Sequence, residues 1–338
     1  MDLLEPTAKP ANPGSDATPK VAVVGCGHWG KNLVRNFYNL GALSGVCDLD
    51  TDTLKRIRQQ YKGVWTTNRF EDLLENPDLD GLVISTPSVT HFPLAYQGLL
   101  AGKHVYVEKP MATSTTETRQ LMDLAKDLDQ HLMVGHLLLY HPAVSRLKQL
   151  IESGYLGDIR YIQSDRLNYN AHRSDRAVFW DLAPHDLSMM IYLLGRVPQR
   201  VVSVLGSKTS ADELVDIAHI ELDFGSGIVG HIHNSWVHPF KQVKLIVRGT
   251  ERSAVIDDTL PLSEKLQVFD HNHPQDKELP TLLGIEPLKL ECQHFISAIK
   301  NNRRPKTDGV NGMKVVEILE DAESKLQLSN EPLNLVQA

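Results

Sequence analysis

The chain has 338 residues, of which 41% are hydrophobic, enough for about two domains with their own cores. A net charge of −7 excludes the basic footprint of a nucleic-acid binder, and no stretch reaches the roughly 18 apolar residues of a membrane helix. The three cysteines, Cys26, Cys47 and Cys292, form no C-x-x-C pair, which excludes a disulfide framework and a cysteine zinc site; the expected setting is reducing and cytoplasmic.

Residues Met1 to Pro19, with Pro6, Pro10, Pro13 and Pro19 among small and polar neighbours, read as a mobile tail. From Lys20 onward, short apolar runs (Val21–Val24, Leu82–Ile84, His104–Val107, Leu132–Val134) alternate with segments of helical spacing. Leu33, Val34, Phe37 and Leu40, closed by Gly41, make one apolar stripe; Leu121, Leu124, Ala125 and Leu128 make another. The alternation predicts a parallel sheet with covering helices, an α/β Rossmann domain over residues 20–141.

Past Pro142 the period changes. Helical spacing at Ala143–Ser153 and around Leu187–Leu194 gives way to strands of period two. Ala218, Ile220, Leu222 and Phe224 alternate with polar residues, then Gly225-Ser226-Gly227 turns the chain into Ile228–Trp236. Gln242–Val247 and Ala254–Ile256, joined across Gly249-Thr250-Glu251, extend the meander, with Leu266–Phe269 at its edge. Helices at Leu288–Lys300 and Gly312–Leu326 close an α+β domain over 142–338, built on a large, mainly antiparallel sheet with one open face.

Gly25-Cys26-Gly27-His28-Trp29-Gly30 matches G-x-G-x-x-G directly between the first strand and the first helix. Gly25 permits the tight turn, Gly27 lets backbone approach a pyrophosphate, and Gly30 lets helix and strand pack closely, with His28 and Trp29 beside the phosphates. Asp48 stands at the end of a second strand, about twenty residues on, where a ribose 2′-hydroxyl is bound. Its charge repels a 2′-phosphate, and Leu49 and Asp50 offer no guanidinium, so the expected cofactor is NAD rather than NADP.

With these residues, three stretches resemble the Gfo/Idh/MocA family of oxidoreductases. They are Ser85-Thr86-Pro87-Ser88-Val89-Thr90-His91, Glu108-Lys109-Pro110, and Asp181-Leu182-Ala183-Pro184-His185-Asp186. The resemblance implies a loop beside the cofactor carrying Thr86, Pro87 and His91, an E-K-P signature whose Glu108 and Lys109 also border it, and a catalytic centre of Lys109, Asp181 and His185. It further implies hydride transfer between NAD and a polyol or sugar, and a homodimer or homotetramer formed through the open sheet face.

The residues make chemical sense on their own. Oxidising a secondary alcohol sends a hydride to the cofactor and a proton to a base. Lys109 ends a strand of an open α/β sheet, where ligands collect. Asp181 and His185 are four apart on a helix, so the carboxylate can orient the imidazole or hold a substrate hydroxyl, or the pair is simply helix support. His185 is the first choice of base with Lys109 polarising the same oxygen, although spacing leaves open which of them takes the proton.

Arg166, Asn168 and Arg173 lead into this helix as candidates for substrate recognition, the two arginines as a fork for a carboxylate or diphosphate, or as exposed ion pairs of a solvated loop. His136 and Tyr140 face nicotinamide or sugar, or pack between domains. The stretch His136-Leu137-Leu138-Leu139-Tyr140-His141-Pro142-Ala143 is similar to the branch acting on UDP-linked amino sugars and uronic acids, implying oxidation at a 3-hydroxyl. The rivals are a NAD(P)H-dependent ketoreductase of deoxysugar biosynthesis and a non-catalytic NAD sensor. His231 with His233, and His271 with His273, bring no carboxylate or cysteine at metal spacing, so no metal is expected.

Overall fold

The computed structural model describes residues 17–169, 176–209, 214–273 and 275–329. Most of the expected tail and Arg173 lie outside the described residues. By its internal packing the chain divides into two units, Met1–Leu137 with Glu286–Val316, and Leu138–Ile285 with Glu317–Ala338.

In the first unit the strands β1 (Val21–Val24), β2 (Leu43–Cys47), β3 (Trp65–Thr67), β4 (Gly81–Ile84), β5 (His104–Glu108) and β6 (Leu132–Gly135) are all parallel, in the order β3-β2-β1-β4-β5-β6. Between them run α1 (Gly30–Asn39), α2 (Thr51–Gln60), α3 (Glu71–Leu74), α4 (His91–Leu100) and α5 (Thr115–Asp127). The order reverses between β1 and β4, the switch point at which open α/β sheets bind ligands. β1 and β4 are buried along their whole length, as the apolar runs require of strands covered on both faces.

The second unit carries α6 (Pro142–Glu152), β7 (Tyr161–Tyr169), α7 (Val178–Leu194), β8 (Arg200–Ser207), β9 (Ile217–Asp223), β10 (Val229–Ser235), β11 (Val237–Arg248), β12 (Arg252–Asp257), β13 (Leu266–Asp270) and β14 (Lys277–Glu278). Two further helices, α8 (Pro287–Asn301) and α9 (Gly309–Ser324), precede β15 (Leu326–Leu328). Its nine strands run β14-β13-β12-β11-β7-β10-β9-β8-β15, antiparallel except for β7 with β10 and β8 with β15. The expected hairpin forms, with Val229 opposite Asp223 and positive φ at Gly225, Ser226 and Gly227.

Three expectations are corrected. β10 and β11 are not neighbours in a meander, because β7 pairs with both and separates them. The edge beyond β13 is β14. And α8 packs in the first unit rather than closing the second: Phe295 meets Phe37 at 6.4 Å and Tyr106 at 5.8 Å, both edge-on.

Candidate active site

The glycine turn is fixed from three sides. The Gly25 N–H donates to the Cys47 carbonyl at 2.8 Å, the Ser85 hydroxyl donates to the Gly25 carbonyl at 2.7 Å, and the Cys26 N–H donates to Asp48 Oδ2 at 2.6 Å. A Cβ on Gly25 would stand 2.8 Å from the Thr86 methyl, and one on Gly30 would strike the Gly25 carbonyl oxygen and lie 2.6 Å from Ser85 Oγ. Gly27 differs, for a Cβ there meets nothing within 4 Å. Helix α1 opens with no side-chain cap and no acid in its first turn, which suits an anion at its positive end. Closed space at Gly25 and Gly30, and open space at Gly27, fit a dinucleotide laid across this turn.

Asp48, at the end of β2, also accepts the Asp50 N–H on Oδ1 at 2.8 Å, so one oxygen faces the glycine turn and the other the start of α2. Burial pushes the thiol of Cys26 up to about 12 and that of Cys47 to about 11, with the Asp48 charge adding to both.

After β4, Thr86 bonds Thr90 through their hydroxyls at 2.7 Å. Pro87 is exposed beside it. His91 departs from expectation: it is 1% exposed, with Nδ1 2.8 Å from the Pro110 carbonyl oxygen and Nε2 2.8 Å from that of Thr86. Burial holds its pKa below the usual value, and the ring ties the Thr86 loop to the E-K-P strand instead of reaching a cofactor.

Glu108 and Lys109 end β5, and the Lys109–Pro110 peptide is cis. Glu108 Oε1 accepts the Trp29 indole N–H at 2.6 Å and the Tyr106 hydroxyl at 3.1 Å; the Lys109 N–H lies 3.3 Å from Oε2. Glu108 thus anchors the glycine turn, and burial raises its pKa against these donors. His136, one residue beyond β6, is 1% exposed with no hydrogen-bond partner at either ring nitrogen; burial and then the Lys109 charge lower its pKa to about 3. The first unit therefore gathers the glycine turn, Asp48, Thr86, Glu108, Lys109 and His136 at one end of its sheet, while His28 stands exposed on the turn.

In the second unit Asp181 and His185 lie on α7, both half-buried, and the Trp236 indole, itself fully buried, donates to Asp181 Oδ2 at 3.4 Å. Pro184 sits inside the helix and removes the N–H that would bond the Trp180 carbonyl. Asp186, which follows His185, is fully buried and accepts from Ser164 Oγ at 2.7 Å, Arg166 Nε at 3.0 Å and Asn234 Nδ2 at 3.0 Å. Arg166 Nη2 lies 3.0 Å from the same carboxylate.

The expected ligand fork at Arg166 is therefore corrected: its guanidinium is committed to Asp186 and docks α7 on β7. Asn168 is half-buried near the end of β7, and Tyr140 is buried in the turn Leu137–Tyr140. Trp236 and the Asp186 network were not singled out in the sequence, where nothing local marks them.

Comparison with known proteins places the fold of both units in one family. Residues 19–136 match the oxidoreductase family with an NAD-binding Rossmann fold, and residues 144–255 match the GFO/IDH/MocA C-terminal domain. A UDP-N-acetylglucosamine 3-dehydrogenase of Acidithiobacillus ferrooxidans is 27% identical over 308 residues, spanning 88% of this chain and 94% of the relative. A solved structure of that enzyme superposes with a TM-score of 0.81 at 25% identity, covering 91% of this chain and 97% of the other. A scyllo-inositol 2-dehydrogenase (NAD(+)) of Bacillus subtilis is 27% identical over 259 residues, 71% of this chain and 73% of the relative. With both of its domains matched, the chain belongs to the Gfo/Idh/MocA family of oxidoreductases.

Proposed function

We propose that this protein is an NAD-dependent sugar dehydrogenase that oxidises a secondary hydroxyl, at C3 of a nucleotide-linked amino sugar or uronic acid. The observation that carries the reading is the set of groups at the switch point of the first unit. A glycine turn with room for a pyrophosphate, a carboxylate at the end of β2 and a lysine at the end of β5 meet there. Bound NAD would supply the hydride acceptor. Gly27 and the first turn of α1 would hold its phosphates, and Asp48 would accept from a ribose hydroxyl and disfavour a 2′-phosphate.

Lys109 and His185 are assigned to the substrate hydroxyl, one to polarise its oxygen and one to take its proton. Asp181, held by Trp236, orients the imidazole four residues on. The 3-dehydrogenase relative supports the choice of substrate class. We further propose self-association through the solvent side of the nine-stranded sheet, where Val202, Leu205 and Val229 are exposed.

The test is absorbance of reduced nicotinamide when the protein is mixed with NAD and a panel of free and UDP-linked sugars. A UDP-sugar is expected to give signal, and Lys109→Met and His185→Asn to lose most of it. NAD binding without signal from any sugar would replace the dehydrogenase by a sensor, and full turnover in both variants would remove the two residues from the chemistry. A monomeric mass in light scattering would end the proposed association.

A further inference from the structure

Behind the strand end that carries Lys109 lies a second carboxyl. Glu291 shares a face of α8 with Leu288, Cys292 and Phe295, and is fully buried with no hydrogen bond at either oxygen. Its polar neighbour is the hydroxyl of Tyr106, also fully buried, which donates to Glu108. Space for the group is built in: a Cβ on Gly135 would stand 2.8 Å from Tyr106 Oη and 2.9 Å from Glu108 Oε1. Four elements thus converge, the glycine turn through Trp29, β5 through Tyr106 and Glu108, β6 through Gly135 and α8 through Glu291.

Two carboxyls that repel each other in an apolar interior do not both ionise. Glu108 accepts from Trp29 and Tyr106 and feels the Lys109 charge, whereas Glu291 meets no cation and only the Tyr106 hydroxyl, whose single proton goes to Glu108. The remaining titratable neighbours are Tyr106 and Cys292, both pushed up by burial and therefore neutral. Glu286, which acts on Cys292, is itself paired with Arg35.

We propose that Glu291 is a positioning residue for the reaction centre: it carries the one proton of the pair and donates it in a hydrogen bond to Tyr106, whose hydroxyl is thereby aimed at Glu108, leaving Glu108 as the anion that seats Trp29 and Lys109. The direction of every hydrogen bond in the chain Glu291 to Tyr106 to Glu108 is then fixed, and the cofactor turn and the E-K-P lysine share one anchor. Its bearing on turnover rests on the dehydrogenase reading, but the proton's location does not.

Infrared difference spectra at pH 8 locate that proton directly. The wild type is expected to show a carboxylic-acid carbonyl band that vanishes in Glu291→Gln and survives in Glu108→Gln. No such band in the wild type, or a band that follows Glu108, overturns the inference. Affinity for NAD, read by tryptophan quenching in variants whose circular dichroism matches the wild type, supplies the second arm.

Glu291→Gln, whose amide still donates, is expected to bind within about twofold of wild type. Glu291→Leu and Tyr106→Phe are expected to weaken binding by about tenfold, the worth of one hydrogen bond. Equal loss in Glu291→Gln and Glu291→Leu would reduce the residue to packing and sink the proposal. A wild type that binds no NAD would sink the dehydrogenase reading, while the infrared bands still decide the proton's place.

Discussion

The backbone N–H of Cys26 donates to Oδ2 of Asp48 at 2.6 Å, which ties the second residue of the glycine turn to the end of the neighbouring strand. One carboxylate thus shapes the turn and, in the proposed function, selects the cofactor. Asp48→Ala is expected to weaken NAD about 10- to 100-fold, since hydrogen bonds to a charged group are worth about 1.5–3 kcal/mol, and to narrow the preference over NADP. Calorimetric titration with both dinucleotides checks this, and tighter binding of NADP than NAD by the wild type would refute the assignment.

The glycines of the turn are expected to separate fold from ligand. Gly27→Ala, with open space around the new methyl, should change thermal stability by no more than about 0.5 kcal/mol yet weaken NAD. Gly30→Ala, which drives a methyl into the Gly25 carbonyl, should destabilise the unit even without ligand. Melting curves with and without NAD distinguish the two, and identical behaviour of the variants would contradict the proposed path of the pyrophosphate.

Arg166→Met leaves Asp186 buried without its cation, and a loss of about 3–5 kcal/mol is expected in urea denaturation. Were the guanidinium reserved for a ligand, the same change would raise KM and spare stability.

His136 carries a sign for acid sensitivity. Its folded-state pKa of about 3 lies below the unfolded value of about 6.5, so the unfolded chain binds the proton first. Stability from this group is full above pH 6.5 and is lost as pH falls toward 3, at about 1.4 kcal/mol per pH unit. His136→Phe should therefore flatten the decline between pH 6.5 and 5 in denaturant titrations. An unchanged slope would show that the imidazole is already solvated.

What could be read from sequence followed the range of the interactions involved. The β1 turn, Asp48 and the β9–β10 hairpin are written in neighbouring residues, and they appear where the spacing places them. The insertion of β7 between β10 and β11 is not, because strand pairing across a long chain separation leaves no local period. Arg166 was visible as a cation near the site helix, but its partner Asp186 meets it only once α7 lies on β7. His91 stood in a cofactor-like loop, and only burial revealed its two carbonyl partners. Glu291 left one trace, an acid on the apolar stripe of α8.

The return of Glu286–Val316 to the first unit has a consequence for synthesis on the ribosome. The nucleotide-binding unit is interrupted, so its nascent sheet waits, with the Phe37 and Tyr106 rings lacking their Phe295 partner, until the second unit has been translated. Slow decoding or premature termination before α8 would then release a half-built Rossmann core, a substrate for chaperones rather than a smaller working enzyme.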